Sequence, residues 1–226
     1  MPQLSAAATL DLWQEAEGRD PVARSLALAA ASGGSADEVA ALPVGRRDAL
    51  LLELHAGAAL EATAACPACG EQAEFSVDTQ ALLARNAEAI DPAPVASVSW
   101  RSPDSRDVAA AASAGDAQAA ERILLERCVG AGELEPEARA AVARAMAEAD
   151  PLAELLVELF CPACGEEFVA DLDVAAFVWA GLRARARRLL FEVDVLARAY
   201  GWSEADVLAL DERRRTAYLE LAEAGA

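Results

Sequence analysis

LEATAACPACGEQAEFSVD, from Leu60 to Asp78, and LLVELFCPACGEEFVADLD, from Leu155 to Asp173, share one layout, repeated 95 residues apart. Cys66 aligns with Cys161, Gly70 with Gly165, Glu71 with Glu166, Val77 with Leu172 and Asp78 with Asp173. Each CPACG lies between short runs suited to β-strands, so each segment predicts a hairpin with a cysteine turn, and the pair predicts an internal duplication. Zinc takes four ligands at tetrahedral corners, and two Cys-x-x-Cys turns supply two corners each. The proline fixes φ inside the turn, and the glycine after the second cysteine permits the left-handed conformation that closes it. Cys66, Cys69, Cys161 and Cys164 are therefore the expected ligands of one structural Zn²⁺ in a zinc ribbon.

The spacing is unusual. Ninety-one residues separate Cys69 from Cys161, against roughly 15–20 in common paired sites. Closure entropy grows only logarithmically, so a fivefold longer loop costs about 1.4 kcal/mol more, while structural zinc contributes on the order of 10–16 kcal/mol. A thioredoxin-like redox site is the competing assignment, but it uses one Cys-x-x-Cys at the start of a helix. Here Gly-Glu follows each of two pairs. A disulfide or a vestigial site stays open at this level.

Outward from the cysteines, the chain predicts helices. Hydrophobic residues make up 55% of the 226, much of this alanine, and aromatics only 5%, which favours helices packed through small side chains. The expected fold is mainly α with a small β zinc ribbon: two Cys-x-x-Cys hairpins joined by a helical insert. The division is 1–57, an N-terminal helical region; 58–78, the first knuckle; 79–154, linker and helical insert; 155–173, the second knuckle; and 174–226, a C-terminal helical region. Ser5 and Asp20-Pro21 start two helices, the second ended by Gly33-Gly34, and a third covers Arg46 to Ala56. The stretch Asp91–Ser102 contains a possible strand, Val95 to Trp100, and Ser102 opens a turn into a helix. Further helices are expected at Ala117–Cys128 and Pro136–Ala149, split by Gly130-Ala-Gly132. A long one runs from Val174 to Tyr200 with Gly201 as its stop. Ser203–Asp206 resembles a capping box, and Asp211 caps the last helix.

Composition narrows the partners. All 19 basic residues are arginine, set against 38 acidic ones, for a net charge of −19. Such a chain is poorly suited to phosphate backbones or anionic lipids and favours protein partners. No signal peptide or membrane span is legible, and five cysteines without an export signal point to the cytoplasm. Cys128, with Ala120, Ile123 and Leu124 at helical spacing, reads as a core thiol. His55, the single histidine, reads as a core or boundary residue, since no catalytic motif surrounds it. Arg183, Arg185, Arg187 and Arg188 form the one basic cluster, expected to pair with carboxylates of this chain or a partner. Trp179, Tyr200, Trp202 and Tyr218 either anchor contacts or fill the core. No phosphate-binding glycine loop, G-x-S-x-G or His-rich motif is present, so no small-molecule substrate or catalytic residue is expected.

Four segments taken in order carry a resemblance. LPVGRRDALLLEL (42–54) before the first CPACG, SPDSRD (102–107), AYGWSEADVLAL (199–210) and RRRTAYLEL (213–221) together resemble the T4-type baseplate proteins. These occur in tailed phages and in bacterial phage-tail-like contractile injection systems, and the likeness extends from Leu10 to Leu221. It implies a non-catalytic structural or assembly role in the baseplate or hub, with other baseplate and tail subunits as partners. It carries over no catalytic residue, and the zinc expectation rests on the cysteine spacing alone. The alternative is a zinc-ribbon nucleic-acid-binding or transcription accessory protein, although Glu71, Glu74, Glu166 and Glu167 beside the knuckles count against it. A thiol oxidoreductase is a third possibility, requiring disulfide-exchange activity.

Overall fold

A computed structural model describes residues 4–55, 57–87, 89–90, 92–129 and 134–224. It is mainly helical, with two small antiparallel sheets of two strands each. Capping chemistry sets where the first helices begin. Ser5 accepts from the Ala8 amide at 3.1 Å to start α1 (Ala6–Ala16), and Asp20 accepts from Val22 and Ala23 at 3.0 Å to start α2 (Pro21–Ala30). A capping box between Ser35 and Glu38 starts α3 (Ala36–Ala40), a helix not expected from the sequence. Gly33 and Gly34 follow the end of α2 with positive φ. Next, α4 covers Val44–Leu54, two residues earlier than expected, because Pro43 supplies a fixed entry. Its predicted last residue, Ala56, lies outside the described residues.

The first hairpin pairs β1 (Ala59–Ala65) with β2 (Gln72–Asp78), and Thr79 leads directly into α5 (Thr79–Ala87), a second helix the sequence did not announce. The insert continues with α6 (Ser105–Ala111), α7 (Ala117–Cys128) and α8 (Pro136–Ala149). The expected strand at Val95–Trp100 does not form. Val95 and Val98 exchange backbone hydrogen bonds of 3.0 and 2.8 Å across a two-residue turn, and Ala96 and Ser97 take φ of +50° and +64°. That geometry folds the run back on itself, leaving Trp100 a single bridge to Val129. The Gly130-Ala-Gly132 break and Asp91 lie outside the described residues.

The second hairpin pairs β3 (Leu156–Phe160) with β4 (Glu167–Asp171). It feeds α9 (Val174–Tyr200), capped by Asp173 and stopped by Gly201 at φ +70°, followed by α10 (Glu204–Leu208) and α11 (Glu212–Ala224). With 27 residues, α9 is about 40 Å long at ~1.5 Å per residue and serves as the spine. Against it pack α1, α2, α4, α10 and α11.

The main core is built from leucine more than alanine. Leu12, Leu28, Leu51 and Leu52 come from the N-terminal helices, Leu60 and Leu155 from the roots of the two hairpins, and Val178 and Trp179 from α9. Both ends of the chain thus share one apolar interior, and each hairpin is rooted in it. The insert has a smaller core of its own, with Leu125, Val129 and Val142 packed against Trp100 and Met146. Among the described residues, no helix is long and apolar enough to cross a membrane.

Candidate metal centre

The two cysteine turns have matching backbone geometry. Cys66 N–H donates to Glu71 O at 2.8 Å and Gly70 N–H to Cys66 O at 2.9 Å; Cys161 N–H donates to Glu166 O at 2.9 Å and Gly165 N–H to Cys161 O at 3.0 Å. Gly70 and Gly165 adopt φ of +79° and +77°, a region a Cβ disfavours. The turn is therefore closed by backbone hydrogen bonds and a glycine, leaving both sulfurs of each pair to project on one side.

The turns bring all four sulfurs together. Sγ atoms of Cys66, Cys69, Cys161 and Cys164 lie within 4.8 Å of one another. The short contacts run between hairpins, at 3.7 Å for Cys66–Cys164 and 3.5 Å for Cys69–Cys161, and all four are free thiols. Four sulfurs at ~2.3 Å from a central ion would form a tetrahedron with edges of about 3.8 Å. The observed contacts fit that edge and are far from the ~2.05 Å of a disulfide. In each pair the first cysteine is buried, Cys66 at 2% and Cys161 at 3% exposure, and the second is exposed. The cluster can hold a metal ion at the surface, above the core into which the hairpins are rooted.

Local electrostatics prepare the sulfurs unequally. Amides of Cys164 and then Ala163 donate to the Cys161 sulfur and bring its thiol down to about 7. At Cys69 the Glu71 amide favours the thiolate, but hydrogen bonds shared with the sulfurs of Cys164 and Cys161 push it up to about 12. Cys164 is also raised, although the Glu166 amide and Cys69 act in the lowering direction. Thiolates crowded this closely repel one another, and a divalent cation would remove that repulsion.

Other residues singled out in the sequence lie elsewhere. His55 Nε2 is 3.0 Å from Ala59 O, and its ring meets Phe177 edge-on at 5.2 Å, a half-buried boundary position. Cys128 is buried, as expected of a core thiol, and Leu125 is buried with it, while Ile123 and Leu124 are partly exposed. Its Sγ lies 3.7 Å from Asp107 Oδ2, and burial, with the Asp107 charge, pushes the thiol up to about 12. Arg185 donates to Leu4 O at 2.9 Å. None of Arg183, Arg185, Arg187 and Arg188 forms an ion pair within the chain among the described residues. Trp179 is buried beneath the Arg24 guanidinium, 4.9 Å from the ring centroid. Tyr200 stacks on Trp202, and Tyr218 meets both edge-on, with centroids 4.8–5.8 Å apart.

Sequence reasoning missed a polar junction behind the hairpins. Asp107 is fully buried and accepts from Arg101 at 2.5 and 2.9 Å, from Arg127 at 2.8 Å and from the Asp104 amide at 2.9 Å. Burial alone would raise its carboxyl, but these donors hold it well below the usual carboxylate range. Buried Arg47 binds Asp48 at 2.7 Å and Ser105 at 3.2 Å, and burial pushes Asp48 up to about 6. Gly45 N–H donates to Asp150 Oδ2 at 2.9 Å, and Val44 N–H to Pro103 O at 3.1 Å. LPVGRRD and SPDSRD thus meet each other and the C-terminal end of α8. The D-x-x-D capping pattern of Asp104–Asp107 was visible in the sequence, but its pairing with Arg101 and Arg127 was not.

No protein-family model, curated protein or solved structure matches the chain.

Proposed function

We propose that the chain is a non-catalytic structural or assembly subunit of a phage-tail-like baseplate, acting in the cytoplasm, with one structural Zn²⁺ held by Cys66, Cys69, Cys161 and Cys164. The carrying observation is the convergence of four sulfurs from two hairpins that arrive from opposite sides of the insert. All-thiolate ligation with no further donor suits a closed, structural zinc site. In this role the two hairpins form a duplicated zinc ribbon, and the metal clasps the N-terminal helices, insert and α9 spine in fixed relation. The baseplate assignment is supported by the ordered segments named above, two of which form the junction behind the clasp. Co-purification from cells assembling contractile particles tests it: tube, sheath or spike subunits should accompany the chain. Recovery only as free monomer from such cells would count against it.

One observation favours a second possibility, a zinc-ribbon nucleic-acid accessory protein: Arg183, Arg185, Arg187 and Arg188 of α9 have no carboxylate partner among the described residues. Against it stands the net charge of −19. Salt-dependent binding of duplex DNA or RNA, lost when these arginines are changed to glutamine, would favour that alternative.

A further inference from the structure

The outer faces of the two hairpins differ at equivalent positions. On the first hairpin, opposed residues are Glu61 and Ser76, Thr63 and Glu74, and Ala65 and Gln72. That face is almost wholly polar and partly satisfied internally, since Ser76 Oγ donates to Glu61 at 2.8 Å. On the second hairpin the corresponding pairs are Leu156 and Asp171, Glu158 and Val169, and Phe160 and Glu167. Each opposes one apolar residue and one carboxylate.

Leu156, Phe160 and Val169 are 56%, 67% and 57% exposed, so more than half of each large side chain meets water. Glu158, Glu167 and Asp171 are exposed too, and none forms an ion pair within the chain among the described residues. The hairpin does not need this face for its own fold, because Ala170 and the partly buried Val157, Leu159 and Phe168 point inward. The first hairpin has the same turn geometry with a polar exterior. Exposed apolar groups clustered on one of two like units mark a contact surface.

We propose that the outer face of β3–β4 docks a basic amphipathic segment of another protein. Apolar side chains of that segment would cover Leu156, Phe160 and Val169, and its Lys or Arg residues would meet Glu158, Glu167 and Asp171. The alternation of apolar and acidic groups across the strands calls for the complementary alternation in the ligand. A second copy is disfavoured as occupant, because two chains of −19 repel. This surface requires an intact second hairpin but depends on no baseplate identity.

The probe is a decapeptide of alternating lysine and valine, titrated into the full-length, metal-loaded protein and followed by amide chemical shifts. A glutamate–valine decapeptide is the control. The triple variant Leu156→Glu/Phe160→Ala/Val169→Glu installs the residues the first hairpin carries at those positions. Metal content reports whether it is folded, and Phe160→Ala alone is the milder second variant. The lysine peptide should shift amides between residues 156 and 171, and the triple variant should weaken binding at least tenfold, Phe160→Ala alone about threefold. Simple charge attraction predicts the reverse, since the triple variant is more acidic and would bind the peptide more tightly. Undiminished binding by the variants, equal binding of the glutamate peptide, or shifts confined to other parts of the protein would overturn the proposal. So would sedimentation showing a wild-type dimer that the triple variant dissolves, which would make the occupant a second copy.

Discussion

The sulfurs of Cys69 and Cys161 lie 3.5 Å apart although 92 positions separate them in the chain. Each belongs to a hairpin rooted in the main core, so a shared ligand couples the two hairpins. The expected consequence is non-additivity. Cys161→Ser should lose the metal and at least about 3 kcal/mol of stability, a fraction of the 10–16 kcal/mol seen for structural zinc. Cys66→Ser/Cys161→Ser should cost little more than the single change, because one ion serves both pairs. Denaturant unfolding of the two variants measures this; fully additive losses would mean that the hairpins do not share an ion.

The knuckle glycines separate strain from clash. A Cβ at Gly70 or Gly165 would meet nothing within 4 Å, so the backbone conformation alone opposes it. Each glycine-to-alanine change should therefore cost about 1 kcal/mol, with asparagine milder than alanine. Thermal unfolding checks the ordering, and losses several times larger would point to a contact absent from this geometry.

Asp107 offers a test by pH. Its carboxyl is held low by Arg101, the Asp104 amide and Arg127 against the effect of burial. A depressed acid contributes stability in full above its unfolded value of ~3.9 and loses it as pH falls toward its folded value. Asp107→Asn should cost about 2–3 kcal/mol at neutral pH. That is below the full effect of breaking a buried pair, because Arg101 and Arg127 remain 47% and 44% exposed and can be rehydrated. The difference between variant and wild type should stay level from pH 8 to about 5 and shrink below about 4. Chemical denaturation across that range measures it.

Gly45 and Asp150 should show coupled substitutions. A Cβ at Gly45 would overlap the Asp150 carboxylate and come within 3.0 Å of the Ala153 backbone nitrogen. Gly45→Ala is expected to cost about 2–3 kcal/mol through this overlap and the strained amide hydrogen bond. In an Asp150→Ala background the same change should cost about 1–2 kcal/mol less, the residue being the Ala153 contact. A double-mutant cycle by equilibrium unfolding gives the coupling directly.

What the sequence disclosed followed from local signals. The cysteine turns, the bounds of α7, α8 and α9, the Gly201 stop and the caps at Ser5, Asp20 and Ser203 each depend on a few neighbouring residues. The misses came from two sources. At Val95–Trp100, β-favouring residues gave way to a tight turn at Ala96-Ser97, and nothing in those small side chains announces positive φ. Around Cys128, helical spacing announced the burial, but not the Asp107 carboxylate of α6 that the thiol meets. The capping box at Ser35 and Glu38 was present in the sequence, yet five residues show too little periodicity to declare a helix. The meeting of the four cysteines was legible from the repeated turn; that the two halves share one core, fixing how they meet, required the fold.

The most direct measurement is metal content combined with X-ray absorption at the zinc edge on protein purified without added metal or chelator. One zinc per chain, surrounded by four sulfurs at ~2.3 Å, is the expected result. A stably folded, metal-free protein in which Cys66, Cys69, Cys161 and Cys164 all titrate as free thiols would contradict it.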